Sequence, residues 1–253
     1  MVRLREKQPV WFAVLWIGIY IITVNVGDAF SEALGVPNLV TAPLLIALSV
    51  GLLVFLRRHG WLEKYGVALP KPRELKVAWY YAPLALMVLV LILLGANSAL
   101  GATGTALAIL LMLGVGFLEE VVFRGFLYKA ILKRSGFKRA VIISGVTFGI
   151  GHIVNLLRGY TGAEQLLQIV AGVALGIVLA LLFALTGSIL PGALFHVLLN
   201  IGGTLTQRTL TGDAIAVLVM LMVSAIYGTH LWRTMRTRRT SDTTADTSRP
   251  ALV

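Results

Sequence analysis

The chain has no cysteine, which removes disulfides, thiolate metal ligands and a cysteine nucleophile together. Charge is scarce too, at 13% of 253 residues, and carboxylates are scarcest: 11 Asp and Glu against 22 Lys and Arg. There is no HExxH, so the usual helix-borne zinc signature is missing. No internal repeat points to an inverted-repeat transporter. What remains is hydrocarbon. The hydrophobic fraction is 58% and mean hydropathy is +0.88, the composition of an integral membrane protein with little room for a separate soluble domain.

Spans of about 20 residues can be laid along the apolar runs at Val10–Phe30, Leu39–Leu56, Val77–Ala96, Thr105–Tyr128, Ala140–Leu157, Leu166–Leu185, Ile189–Leu205 and Ala214–Trp232. The first run, from Val10 to Val26, exceeds a signal-peptide core and lacks an Ala-x-Ala site after it, so it reads as a retained span. Cations then fall on alternate connections. Three precede the first span, six lie between Arg57 and Lys76, five between Lys129 and Arg139, and five follow Trp232. Arg124 is inside a span, while Arg158 and Arg208 lie on the opposite side. The positive-inside rule places both termini in the cytoplasm. A nucleic-acid patch would not alternate with hydropathy, so the net charge of +11 gives no nucleic-acid partner. The expected partners are membrane lipid and a peptide or lipid-modified protein.

Trp11, Trp16, Trp61, Trp79 and Trp232 fall mostly near span ends, where interfacial anchors sit. The Arg57–Lys76 connection, with Pro70 and Pro72, reads as a surface loop. Thr186-Gly187-Ser188 is short and uncharged, and such a turn can be recessed below the headgroups if protein shields it. Residues 240–253 form a polar tail expected to be disordered.

Against this background the intramembrane polar residues stand out. Ionisable groups in a span cost several kcal/mol, about 2.5–3.5 each even on the lenient insertion scale, unless paired or solvated. The fourth span carries Glu119, Glu120 and Arg124, the fifth His152, and the seventh His196 and Asn200. Helical spacing puts Glu120 and Arg124 on one face, able to pair, and turns Glu119 about 100° away, so one carboxylate can be neutralised and the other left free for chemistry, with either glutamate in either role. With Ser135-Gly136 as the hairpin, Glu119 and His152 sit at similar depth, roughly 24 Å from the turn at ~1.5 Å per residue. Gly149 and Gly151 would admit a close neighbour beside His152. His196 and Asn200 share a face behind Pro191 in the first turn, but counting places His196 shallower than the others unless its turn is recessed. A carboxylate and an imidazole can hold and deprotonate a water, while a second imidazole and an amide donate to an oxyanion. Those are the parts of a non-covalent amide hydrolase. Glu119, His152 and His196 could equally be a two-histidine, one-carboxylate zinc site.

Glu119-Glu120-x-x-x-Arg124, Phe148-x-x-x-His152 and His196-x-x-x-Asn200, in that order, resemble the CPBP intramembrane proteases. This is the CAAX prenyl protease type II and bacteriocin-processing group, also called the Abi family. Thr186-Gly187-Ser188-Ile189 is similar to the family pattern as well, and the resemblance covers roughly residues 105–205. It implies that Glu119 and His152 activate a water, that His196 and Asn200 stabilise the oxyanion, and that Glu120 with Arg124 supports them. The family has been described both with and without a metal. The absence of a zinc motif favours a glutamate-bound water with no required cofactor.

The expectation is therefore an all-α bundle of about eight transmembrane helices, with residues 1–239 forming one membrane domain around a protease-like core. It is expected in a bacterial or archaeal cell membrane, as an endopeptidase acting on a prenylated CAAX-type or other membrane-associated peptide. The competing reading is a non-catalytic partner, such as a bacteriocin-immunity or scaffold protein. A proton-coupled transporter would also use buried Glu and His, but lacks the repeat symmetry. His59 and His230, near interfaces, are expected to be incidental. Asn25 and Asp28 are expected to face an interface or pair with a neighbour, and aromatic residues along the spans to face lipid or pack.

Overall fold

The structure, a computed structural model, describes residues 1–68, 79–95, 98–158, 161–207 and 209–247. Expected features at Pro70 to Val77, Ala96, Arg208 and Arg249 lie outside the described residues. Among the described residues the chain is helical, with no strand. In chain order the α-helices are α1 (Val2–Lys7), α2 (Pro9–Ala33), α3 (Thr41–Arg58), α4 (Ala82–Leu93), α5 (Gly101–Glu119), α6 (Lys129–Ser135), α7 (Phe137–Gly151), α8 (Gly162–Thr186), α9 (Leu190–Leu205) and α10 (Leu210–Thr247). A π-helix, Glu120–Tyr128, joins α5 to α6, and a 3-10 segment, His152–Arg158, continues α7. The last turns of α10 run into the polar stretch expected to be a tail.

Among the described residues each of the eight apolar runs contains a helix, and six helices are long enough to cross a membrane: Pro9–Ala33, Thr41–Arg58, Gly101–Ser135, Phe137–Leu156, Gly162–Thr186 and Thr211–Thr237. Trp79–Leu93 and Leu190–Leu205 are shorter. At 16 residues α9 is about 24 Å long, short of the ~30 Å hydrocarbon core. The length fits because α9 starts below the surface. Ser188 and Ile189 are buried. Ile189 N–H donates to the Gly66 carbonyl at 2.9 Å, and Ser188 Oγ donates to the Ala68 carbonyl at 2.9 Å. The loop after α3 thus roofs the turn. Gly66 makes this approach with a positive φ of 76°, and a Cβ there would lie 2.5 Å from the Phe183 ring.

The same end of the bundle gathers three of the basic segments. Arg5 stacks over Trp61 at 3.8 Å, and Lys129 Nζ donates to the Lys64 carbonyl. Partial burial holds the Lys64 ammonium below its usual range, and the nearby Arg5 and Lys133 charges add to the effect. These contacts put the N-terminus and the second and fourth connections on one side, as the alternation of charge requires.

The central piece is α5, the π-helix and α8. Every residue from Glu120 to Tyr128 is buried, and Arg124 heads the largest fully buried side chains. Trp16 is not an interfacial anchor: it is buried against Phe126, whereas Trp11 and Trp79 are exposed. Helices α7 and α8 meet through glycine. A Cβ on Gly145 would lie 2.7 Å from Ile177 N, and one on Gly149 2.5 Å from Val173 N. The expected close approach at Gly151 is not seen, since its nearest neighbour there is Phe123 Cζ at 3.7 Å. Gly145 and Gly149, four apart, therefore form the contact stripe. Gly149→Ala is expected to lower stability by about 1–3 kcal/mol, because backbone rather than a flexible side-chain end must move. Thermal unfolding in detergent checks this, with Gly151→Ala as the near-neutral control.

Candidate active site

Glu119 ends α5 and Glu120 opens the π-helix. The sequence predicts one continuous α-helix here. The structure differs, and π-helical turns inside α-helices are frequent at functional sites. Ser144 of α7 ties the widened backbone by donating to the Phe123 carbonyl at 2.8 Å.

Arg124 Nη1 lies 2.8 Å from Glu120 Oε1, an ion pair off the line of a good hydrogen bond. Its Nη2 donates to the Gly176 carbonyl of α8 at 3.4 Å, and its guanidinium stacks over Phe148 at 4.3 Å. His196 lies between the two glutamates: Nε2 is 3.5 Å from Glu119 Oε2, and Nδ1 is 3.3 Å from Glu120 Oε1. The recessed turn before α9 brings His196 to their depth, and the counting mismatch disappears. Two carboxylates thus face one guanidinium and one imidazole. A compensated cluster is the tolerated form of buried charge.

His152 is partly buried on the first turn beyond α7. It packs edge-to-face on Phe148 at 5.3 Å, and His196 does the same at 5.5 Å. Phe148 is thus the hub holding both imidazoles and the guanidinium, more than a packing aromatic. Gln165 of α8 donates to the His152 carbonyl at 2.9 Å and fixes the helix break. Gly172 makes room for the ring: a Cβ there would lie 2.9 Å from His152 Cδ2. Asn200 is partly buried one turn beyond His196 on α9. His196 therefore touches both glutamates, Arg124 touches Glu120, and Phe148 packs against Arg124, His196 and His152, while Asn200 lies on the same helix as His196, with its carbonyl accepting from Thr204.

Sequence reasoning missed two partners. Tyr20 of α2 donates to Glu119 Oε1 at 2.8 Å. Tyr81 lies beside the Glu120 side: a Cβ on Gly192 would have Glu120 Oε2 at 3.4 Å and Tyr81 Cε1 at 3.8 Å. Neither tyrosine belongs to a motif. The only signal for Tyr20 was its spacing behind Phe12 and Trp16. His59 and His230 stay outside the site, stacked on Trp61 and Tyr227 respectively. Asn25 donates to its own helix and Asp28 accepts from Thr41, as their positions suggest.

Among the described residues, no three His, Asp or Glu side chains are arranged to hold one metal ion. Glu119, His152 and His196, the zinc ligand set considered above, are not grouped in this way.

Glu119 Oε2 is buried, has no hydrogen-bond partner among the described residues, and faces the imidazole of His196. The segment carrying this arrangement can be compared with known families. Residues 101–202 match the family model Type II CAAX prenyl endopeptidase Rce1-like. The match runs from the start of α5 into the last turn of α9 and includes Glu119, Glu120, Arg124, His152, His196 and Asn200. It agrees with the CPBP resemblance carried by the three motifs. No curated protein and no solved structure gives a match. The matched segment thus contains the buried cluster, while Tyr20 reaches it from α2, outside the matched stretch.

Proposed function

We propose that the protein is an intramembrane endopeptidase hydrolysing a peptide bond in a prenylated CAAX-type or other membrane-associated peptide. The observation that carries this reading is the division of labour between adjacent glutamates. Glu120 lies against the Arg124 guanidinium, while Glu119 keeps one buried oxygen that makes no hydrogen bond among the described residues and faces only the His196 imidazole, 3.5 Å away. A buried acceptor of that kind calls for a partner, and a water is the reactant hydrolysis needs. The Rce1-like match of residues 101–202 supports the same reading.

Glu119 Oε2, with His152, holds a water and takes its proton as the oxygen attacks the peptide carbonyl carbon. The carbonyl oxygen becomes an oxyanion that receives N–H bonds from His196 and Asn200. The C–N bond then breaks, and Glu119 passes the proton to the departing nitrogen, leaving an acid and an amine. Glu120 and Arg124 keep the site compensated throughout. Substrate enters from the bilayer, and the basic ends of the spans put both termini in the cytoplasm.

Purified protein in liposomes should cleave a farnesylated CAAX peptide, read by mass spectrometry, faster than the unprenylated peptide. Cleavage should persist with a strong chelator. If neither this peptide nor other membrane-associated peptides are cut, the protease reading fails and a non-catalytic immunity or scaffold role replaces it.

A further inference from the structure

We propose that Tyr20 is a positioning residue for Glu119, fixing one carboxylate oxygen so that the other is presented to the reaction. This rests on the protease reading given above.

The contact joins residues 99 positions apart, so it exists only because α2 is seated against the central segment. Phe12, Trp16 and Tyr20 recur every four residues and share one face of α2. Phe12 and Trp16 anchor that face on Phe126 of the π-helix, with ring centroids 4.9 and 6.2 Å apart. Phe12 is buried on this contact, and so is Trp16. One turn further, the Tyr20 hydroxyl meets Glu119 Oε1 at 2.8 Å. The tyrosine is placed by two rings on a packed helix, not by a mobile loop.

The carboxylate needs such an anchor. The terminal torsion of a glutamate is broad and roughly two-fold, so its two oxygens exchange readily unless one is held. A phenol O–H donating to an ionised carboxylate is among the stronger hydrogen bonds, and it stabilises the charged form that accepts a proton from water. With Oε1 held by Tyr20, Oε2 is left facing His196 without a hydrogen-bond partner. The Rce1-like stretch begins at residue 101, so this donor comes from a part of the chain the match does not cover. Helix α2 therefore completes the site as well as being long and apolar enough to cross the membrane.

Tyr20→Phe removes the hydroxyl and keeps the ring in the stripe. It should lower kcat about 10–100-fold, the scale of losing a hydrogen bond to a charged group, with KM within about twofold. A structural role alone would reduce the yield of folded protein and leave kcat per folded molecule unchanged. A second readout needs no turnover. A hydrophobic carbodiimide modifies protonated carboxyl groups, and mass spectrometry locates the adduct. Tyr20→Phe should raise labelling at Glu119 and leave labelling at Glu120 as in the wild type. Unchanged kcat or unchanged labelling would overturn the proposal. If the wild type cuts no peptide, the protease reading fails by itself, and the labelling still decides whether Tyr20 controls Glu119.

Discussion

Glu119→Gln is expected to lower kcat for peptide hydrolysis by roughly 10²–10⁴-fold, the range for losing a positioned proton-transfer group. The protein should stay folded. The amide keeps the length of the side chain and an oxygen that can accept the Tyr20 proton at the position now 2.8 Å away. What it lacks is a basic oxygen in place of Oε2, the atom that faces His196 without a hydrogen-bond partner. Glu120→Gln tests the division of labour from the other side. That carboxylate already lies against Arg124, so its loss should fall chiefly on stability. Single-turnover cleavage with thermal unfolding on the same preparations separates the two outcomes. A Glu119→Gln protein that cuts at the wild-type rate would remove Glu119 from the chemistry.

Arg124→Met is expected to cause the largest loss of stability, about 3–5 kcal/mol, the cost of leaving a buried charge without its partner. Arg124 is fully buried and contacts Glu120, the Gly176 carbonyl and the Phe148 ring. Removing it strands Glu120 beside a second carboxylate. Arg124→Lys should recover only part of the loss, because an ammonium can balance charge but cannot bridge and stack as a planar guanidinium does. The combination of Glu120→Gln with Arg124→Met should be more stable than Arg124→Met alone. Denaturation of the variants in mixed micelles gives the comparison. Additive losses in the double variant would show that the pair is not coupled.

Much of this arrangement was legible in the sequence because membrane burial penalises unpaired charge so heavily. Glu120 and Arg124 are four apart in one helix, so their pairing follows from local geometry. The apolar runs mark the eight helical segments, and the alternation of basic and neutral connections gives only their expected orientation. Two kinds of information were not legible. Hydrogen bonding along residues 120–128 depends on what packs around them, and Val121, Val122 and Gly125 suit an α-helix as well as a π-helix. The long-range partners were hidden for a different reason. Tyr20 and Gln165 are ordinary residues whose role comes from where their helices cross, and crossings are set by packing that periodicity does not encode. The glycine stripe shows the same limit: Gly149 was readable, but Gly145, not Gly151, is its counterpart in the tight contact.

The central placement of Arg124 also orders the birth of the protein. Its partner Glu120 is four residues away and is available as soon as that turn coils. His196 emerges from the ribosome about 70 residues after Arg124, roughly 4–14 s later at ~5–20 residues per second. For the first 52 residues of that interval the nascent span carries two carboxylates and a single cation, with neither the Gly176 carbonyl nor the His196 imidazole yet made. The insertion machinery must therefore shelter this hairpin from lipid until the last third of the chain arrives to close around it.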